Sequence, residues 1–292
     1  MPKTKRGLHY AVTDLRPPWL QNLGLQEREP HGQCRIGRPV VFHHGVGASH
    51  DIFAEWVPII ATHHPTVAYD MRGFGQSVIP PETHAWTFDE LIGDLLEVAE
   101  TTFGPEPIHV IGESIGGTVA LAAAIEHPTR FASVAMSNAA IKGGQIGYAR
   151  GWRAEIARVG MAGWSDRMMG MRFVPGAMPP EALEWFAKAQ ATSAAHAVIG
   201  LGELLIATDL TAALADFKSP LLLMMPDKSP FVSLSQAGAL TELVPQTELA
   251  VFPGARHGLP FSHAKQAAAT LLAFLARVER GQLPPPRVTW CG

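Results

Sequence analysis

The 292-residue chain is short of several things that would widen its possible functions. It has only two cysteines, Cys34 and Cys291, and their spacing is not that of a metal-ligand set. Two free thiols suit a reducing compartment, so a cytoplasmic location is expected, with a single bridge as the alternative. No apolar stretch approaches the ~20 residues needed to span a bilayer. The basic start Met1-Pro2-Lys3-Thr4-Lys5-Arg6 is not followed by an apolar core, which argues against a secretory leader. Charged residues are sparse at 17%, and the formal charge of −3 shows no basic surplus. Nothing therefore points to nucleic acid or to an anionic membrane. Internal repeats, a glycine-rich phosphate loop and a metal-ligand cluster are all missing, so neither cofactor nor metal is expected.

What is present is apolar and ordered. Apolar residues make up 47% of the chain, the composition of a packed core rather than of a disordered segment. Short apolar runs at Val40–His43, Thr66–Tyr69, Ile108–Ile111, Phe131–Ser137, Leu221–Met225 and Glu248–Phe252 read as buried strands. Helical patterns alternate with them. Thr87–Thr102 carries Phe88, Leu91, Ile92, Leu95 and Ala99 on one face, with Thr87 and Glu90 placed as a capping box. Ile115–Glu126 and Ser262–Val278 are further helices. Strand and helix in repeated order predict an α/β fold, a mostly parallel sheet covered on both faces.

Residues 141–217 break that order. They hold no strand pattern but much helical periodicity, with Trp152, Met161, Trp164, Met168, Met169, Met171, Phe173, Trp185 and Phe186. Such a segment is expected to be an inserted helical subdomain, with core sequence at 1–140 and 218–292. Its large apolar residues either pack the insert onto the sheet or line a pocket beneath it. Arg150, Arg153, Arg158, Arg167 and Arg172 either solvate its outer face or turn inward toward a substrate carboxylate. Gly281–Gly292, with Pro284-Pro285-Pro286, reads as an extended tail.

Ser114 stands in Gly112-Glu113-Ser114-Ile115-Gly116, between an apolar strand and a helix. A serine on such a sharp turn projects its hydroxyl above the sheet edge, within reach of a base. Three more segments follow the same logic of polar turns at strand ends: His43-His44-Gly45-Val46-Gly47, Asp70-Met71-Arg72-Gly73-Phe74-Gly75-Gln76-Ser77, and Arg256-His257-Gly258. With these four features in this order, the chain resembles the α/β-hydrolase family from about Gly7 to Val278. The resemblance is greatest to the 3-oxoadipate enol-lactonase and small-ester hydrolase branch, and it implies a helical lid at 141–217.

By that resemblance Ser114 is the nucleophile and His257 the base that takes its proton. The N–H groups of Val46 and Ile115 form the oxyanion hole. His44 orients the Val46 loop or stands, with Trp152, Trp164 and Met168, on the pocket wall. Asp70 holds its turn, and Arg72 either pairs with it or contacts substrate. Glu113 either adds charge beside the base or turns into a polar network.

One position departs from the pattern. Where the family carries an aspartate before a proline, this chain has Ser229 in Met225-Pro226-Asp227-Lys228-Ser229-Pro230. Asp227 is the first choice for the acid that would orient His257. Asn138, in the turn after Phe131–Ser137, is an uncharged alternative. The expected function is a cofactor-independent serine hydrolase of a small, mostly apolar ester or lactone, with a small-molecule substrate as partner and a monomer or homodimer as the assembly. Cleavage of a carbon–carbon bond in a ring-cleavage product, or ligand binding without catalysis, are the alternatives.

Overall fold

The computed structural model describes residues 2–21, 37–282 and 287–291; Cys34 and Pro284-Pro285-Pro286 lie outside them. The strands are β1 (Tyr10–Thr13), β2 (Val40–His43), β3 (Thr66–Tyr69), β4 (Ile108–Glu113), β5 (Phe131–Ser137), β6 (Leu221–Pro226), β7 (Thr247–Phe252) and β8 (Arg287–Trp290). They form one sheet in the order β1-β3-β2-β4-β5-β6-β7-β8. β1 runs antiparallel to β3, and every other pair is parallel. The six central strands are the apolar runs of the sequence, lengthened by one or two residues at most. The edge strands were not legible. β1 is only partly buried, and β8, in the expected tail, leaves Val288 and Trp290 exposed. An edge strand has one ladder and less burial, so its apolar pattern is weak.

Alternation along the strands separates two apolar layers. Val41, Val67, Val110, Val134 and Leu223 face one side, with α3 (Phe88–Phe103) and α4 (Ile115–Glu126). Phe42, Ala68, Ile111, Ala135 and Leu222 face the other, against Leu271 and Phe274 of α10 (Ala264–Glu279). Short helices α2 (Val57–Ile60) and α9 (Leu259–Ser262) and the longer α8 (Leu234–Leu243) complete the core, while α1 (Pro18–Gln21) buries no residue. Half of the expected capping box is present: Thr87 Oγ1 accepts the Glu90 N–H at 3.2 Å. The Glu90 carboxylate turns instead to His84 at 2.6 Å and Arg72 at 3.4 Å, because ion pairs outbid a neutral N–H.

Between β5 and β6 the chain leaves the sheet and forms α5 (Trp152–Arg172), α6 (Pro180–Ala191) and α7 (Ala195–Ala207). The described part of this insert has no strand, only an isolated bridge from Lys142 to Asp209. α5 is interrupted at Gly160, whose φ of 71° no ordinary helical residue adopts. No helix among the described residues is long and apolar enough to cross a membrane.

The turn from β4 to α4 is built on close approach. A Cβ on Gly112 would lie 2.3 Å from the Gly116 carbonyl carbon, and one on Gly116 would lie 2.5 Å from the His43 oxygen. Both contacts are with backbone, which cannot move aside without opening the sheet. Gly112→Ala should therefore lower stability by about 2–3 kcal/mol, read as a melting temperature lower by roughly 4–12 °C. Gly170→Ala, on α5 with nothing within 4 Å, should leave the melting temperature unchanged or raised.

Candidate active site

Ser114 is held at φ 54° and ψ −127°, a conformation costing about 1–3 kcal/mol for a residue with a side chain. Its N–H donates to Ser137 O at 2.9 Å, and its carbonyl accepts from Gly117 and Thr118. Those bonds hold the strain in place. The hydroxyl oxygen lies 3.3 Å from His257 Nε2. His257 stands in the loop between β7 and α9. Asn138 Nδ2 donates to its carbonyl at 2.7 Å, and the Phe231 ring packs on its imidazole with centroids 4.6 Å apart. Burial, reinforced by the charge of Arg172, pushes its pKa well below the usual histidine range. The imidazole is thus neutral, the form that can accept a proton.

The N–H groups of Val46 and Ile115 have no hydrogen-bond partner among the described residues, although both residues are buried. Unpaired buried donors are rare and cost about 1–3 kcal/mol each. Ile115 N–H also opens α4, where the helix dipole favours negative charge. His44 explains how the Val46 loop is held. Its Nε2 accepts the Met71 N–H at 2.8 Å, so its Nδ1 carries the proton and donates to Gly45 O at 2.8 Å. His44 is therefore a brace under the loop and not part of the pocket wall.

The side of His257 away from Ser114 differs from expectation. Nδ1 faces Ser229 Oγ at 3.5 Å. That oxygen already accepts the N–H groups of Phe231 at 3.2 Å and Val232 at 3.3 Å. Asp227 is not the partner: its Oδ1 accepts the Gly254 N–H at 2.7 Å and closes the turn after β7. The reason is local. Ser229 caps the turn after β6, so the residue two positions earlier is directed toward the neighbouring strand. Asn138 is not the partner either, since its amide holds the His257 backbone rather than the ring.

The nearest carboxylate to the imidazole is Glu113, the residue whose sequence position allows either a charge beside the base or a place in a polar network. Glu113, at the end of β4, is 1% exposed. Its Oε1 lies 3.7 Å from His257 Nε2 and 3.7 Å from Arg172 Nη1. Neither oxygen has a partner at hydrogen-bond geometry, though the Gly45 amide lies near enough to favour the charged form. Burial dominates and raises its pKa to about 7, opposed by Arg172 and Gly45. A Cβ on Gly45 would lie 2.2 Å from Glu113 Oε2, so only glycine fits there.

Arg172, the last residue of α5, enters the same site from the insert. Its Nη2 donates to Val46 O at 2.7 Å and its Nε to Gln190 at 2.8 Å. Its guanidinium sits over the Phe186 ring at 5.3 Å, and its carbonyl accepts the Gly258 N–H at 2.8 Å. Of the five insert arginines it is the one that lines the cavity. Arg153 and Arg167 pair with Glu203 and Glu155, and Arg150 donates to Gly144 O.

The cavity over Ser114 is narrow and mostly apolar. Trp152 and Met168 line it, with Ile146, Leu205, Phe231 and Arg172. Trp164 does not: it stacks edge-on against Trp152 at 5.4 Å and fills the space over Gly47. Phe231 follows Ser229-Pro230 in a segment that carried no apolar period, so its place in the wall had no sequence signal.

Outside this cavity the polar clusters are committed. Asp70 accepts from the His50 N–H and Nδ1 and from the Gln76 N–H. Arg72 pairs with Asp94 at 2.7 and 2.8 Å, a structural tie to α3. Two groups, His9–His50–Asp70 and His64–His109–Glu279, have the donor types for a metal ion. Neither includes a cavity residue, and in both the atoms already hydrogen-bond one another or neighbouring groups.

Residues 38–264 match the sequence profile of a family described as the alpha/beta hydrolase fold. The chain belongs to the α/β-hydrolase family. It is 32% identical over 111 residues to RutD of Caulobacter segnis, whose name assigns it provisionally to carbamate hydrolysis. It is 31% identical over 127 residues to 3-oxoadipate enol-lactonase 1 of Acinetobacter baylyi. These matches cover 38% and 44% of this chain and 41% and 45% of the relatives, so under half of either relative is spanned. The crystal structure of the enol-lactonase from Burkholderia xenovorans LB400 superposes with a TM-score of 0.77 over 93% of this chain and 98% of that one, at 22% identity. That likeness is one of fold.

Because Asp227 serves the Gly254 turn, Asp227→Asn should leave the pH profile of Ser114 reactivity unchanged. It should lower stability by about 1–2 kcal/mol for the weakened charge-assisted bond. Labelling by an active-site phosphonate and a thermal melt read the two effects separately.

Proposed function

We propose that this chain is a cofactor-independent serine hydrolase that cleaves a small, mostly apolar ester or lactone through an acyl-enzyme. The observation that carries the reading is the strained Ser114, with its hydroxyl 3.3 Å from a buried neutral imidazole and two unpaired N–H groups beside it. Ser114 Oγ attacks the carbonyl carbon while its proton passes to His257 Nε2. The carbonyl oxygen, now an anion, is received by Val46 and Ile115 N–H. Collapse of the intermediate breaks the carbonyl carbon–leaving oxygen bond, and His257 returns the proton to that oxygen. Water then repeats the sequence on the acyl-serine, releasing acid and free Ser114.

The narrow, mostly apolar cavity supports a compact, mostly apolar substrate. The match to the named enol-lactonase supports a lactone among the substrates. A second reading, hydrolysis of a carbon–carbon bond, draws on a 31% match over 94 residues to a 2-hydroxy-6-oxo-6-(2'-aminophenyl)hexa-2,4-dienoic acid hydrolase of Metapseudomonas resinovorans.

Intact mass after treatment with a fluorophosphonate tests the nucleophile. One adduct on wild type and none on Ser114→Ala is expected. Equal adducts on both, or none on either, would overturn the serine mechanism and favour ligand binding without catalysis. On a panel of short-chain esters, lactones and dienones, esters or lactones should turn over, with His257→Ala slower by at least a thousandfold.

A further inference from the structure

The Nδ1 side of His257 offers no charge. Ser229 Oγ has both lone pairs directed at the N–H groups of Phe231 and Val232, so it is poorly placed to accept from Nδ1, and the contact is long at 3.5 Å. When Ser114 loses its proton, the imidazolium needs a nearby anion in a site from which water is excluded. Among the described residues, Glu113 is the carboxylate in ion-pair range of that ring, and it approaches from the Nε2 side.

Building on the serine-hydrolase reading, we propose that Glu113 supplies the negative charge that the missing triad aspartate would have supplied, stabilising the His257 imidazolium through Nε2. Arg172, 3.7 Å from Glu113 Oε1, makes an ionised carboxylate tolerable at this depth. The sequence of charges is then Arg172 positive, Glu113 negative, His257 transiently positive. Glu113 is a positioning residue in this scheme: it takes no proton from Ser114 and makes no bond to substrate. Its buried oxygens lack hydrogen-bond partners, as is expected of a group whose partner gains its charge only during the reaction.

The pH dependence follows. The groups on elements packed around Glu113 are Arg172 on α5, His257 after β7, and His43 and His44 at the end of β2. Burial holds His43 neutral, with its pKa lowered to about 3, and lowers that of His44 as well. His257 is already deprotonated across the neutral range. The titration left near neutrality belongs to Glu113, at about 7. Below that value the carboxyl is protonated and carries no charge, so reactivity falls as pH falls through about 7.

The test is the rate of fluorophosphonate labelling as a function of pH, which needs no knowledge of the substrate. In labelling, the Ser114 Oγ–phosphorus bond forms, fluoride leaves with the P–F electron pair, and the hydroxyl proton passes to His257. Wild type should lose rate as pH falls through about 7. Glu113→Gln should be about a hundredfold slower at pH 8 and should lack that limb. Ser229→Asp, placed in the Glu113→Gln chain, should recover at least tenfold, because the Phe231 and Val232 N–H groups can receive a carboxylate. Ser229→Asp alone should keep labelling fast below pH 7, an arm that stands even if Glu113→Gln does not fold. Equal rates and limbs in wild type and Glu113→Gln would overturn the proposal. So would a slow Glu113→Gln that retains the limb and is not rescued. Equal labelling of wild type and Ser114→Ala would instead overturn the serine mechanism itself, a separate failure.

Discussion

The approach of α4 to the ends of β2 and β4 constrains everything above the sheet. Gly112 and Gly116 let main chain meet main chain where a methyl group would intrude on backbone atoms. The chain can then reverse within one residue, and Ser114 takes the strained angles at the reversal. That geometry directs the hydroxyl toward His257 and leaves the Ile115 N–H without a helical partner. It also sends Glu113, the last residue of β4, inward with no water to solvate it. One packing constraint thus produces a strained serine, an unpaired donor and a buried carboxylate.

Burial then sorts the charges. His257 is deprived of water and stays neutral, while Glu113 is raised to about 7. An isolated buried carboxylate would cost several kcal/mol, and the position of Arg172 answers that cost. The serine in the usual aspartate position keeps the backbone cradle of an anion, two N–H groups converging on one oxygen, while removing the anion itself. In the proposed mechanism the site keeps the shape of a triad and takes its charge from Glu113.

Much of this was legible in the residues, and the parts that were not share a cause. The six central strands and the serine turn declared themselves, because full burial on both faces writes continuous apolar runs and close approach writes glycines. β1 and β8 did not, because edge strands bury too little. Trp152 and Met168 line the cavity, whereas Trp164, also a tryptophan of α5, packs behind Trp152, a difference that residue type alone does not encode. Asp227 was favoured over Ser229 by chemistry alone. Chain distance could not say that its carboxylate is taken by the Gly254 turn. Arg172 stood in a set of five arginines, and its inward direction depends on how α5 crosses the sheet, which no local pattern encodes.

Arg172 also joins parts of the molecule that sequence keeps far apart. One side chain from the insert donates to the Val46 carbonyl, and its own carbonyl receives the Gly258 N–H, so α5 is tied to the loops on both flanks of Ser114. Any movement of the insert away from the sheet would therefore loosen both loops together, and linkage would make that coupling reciprocal with whatever the cavity binds.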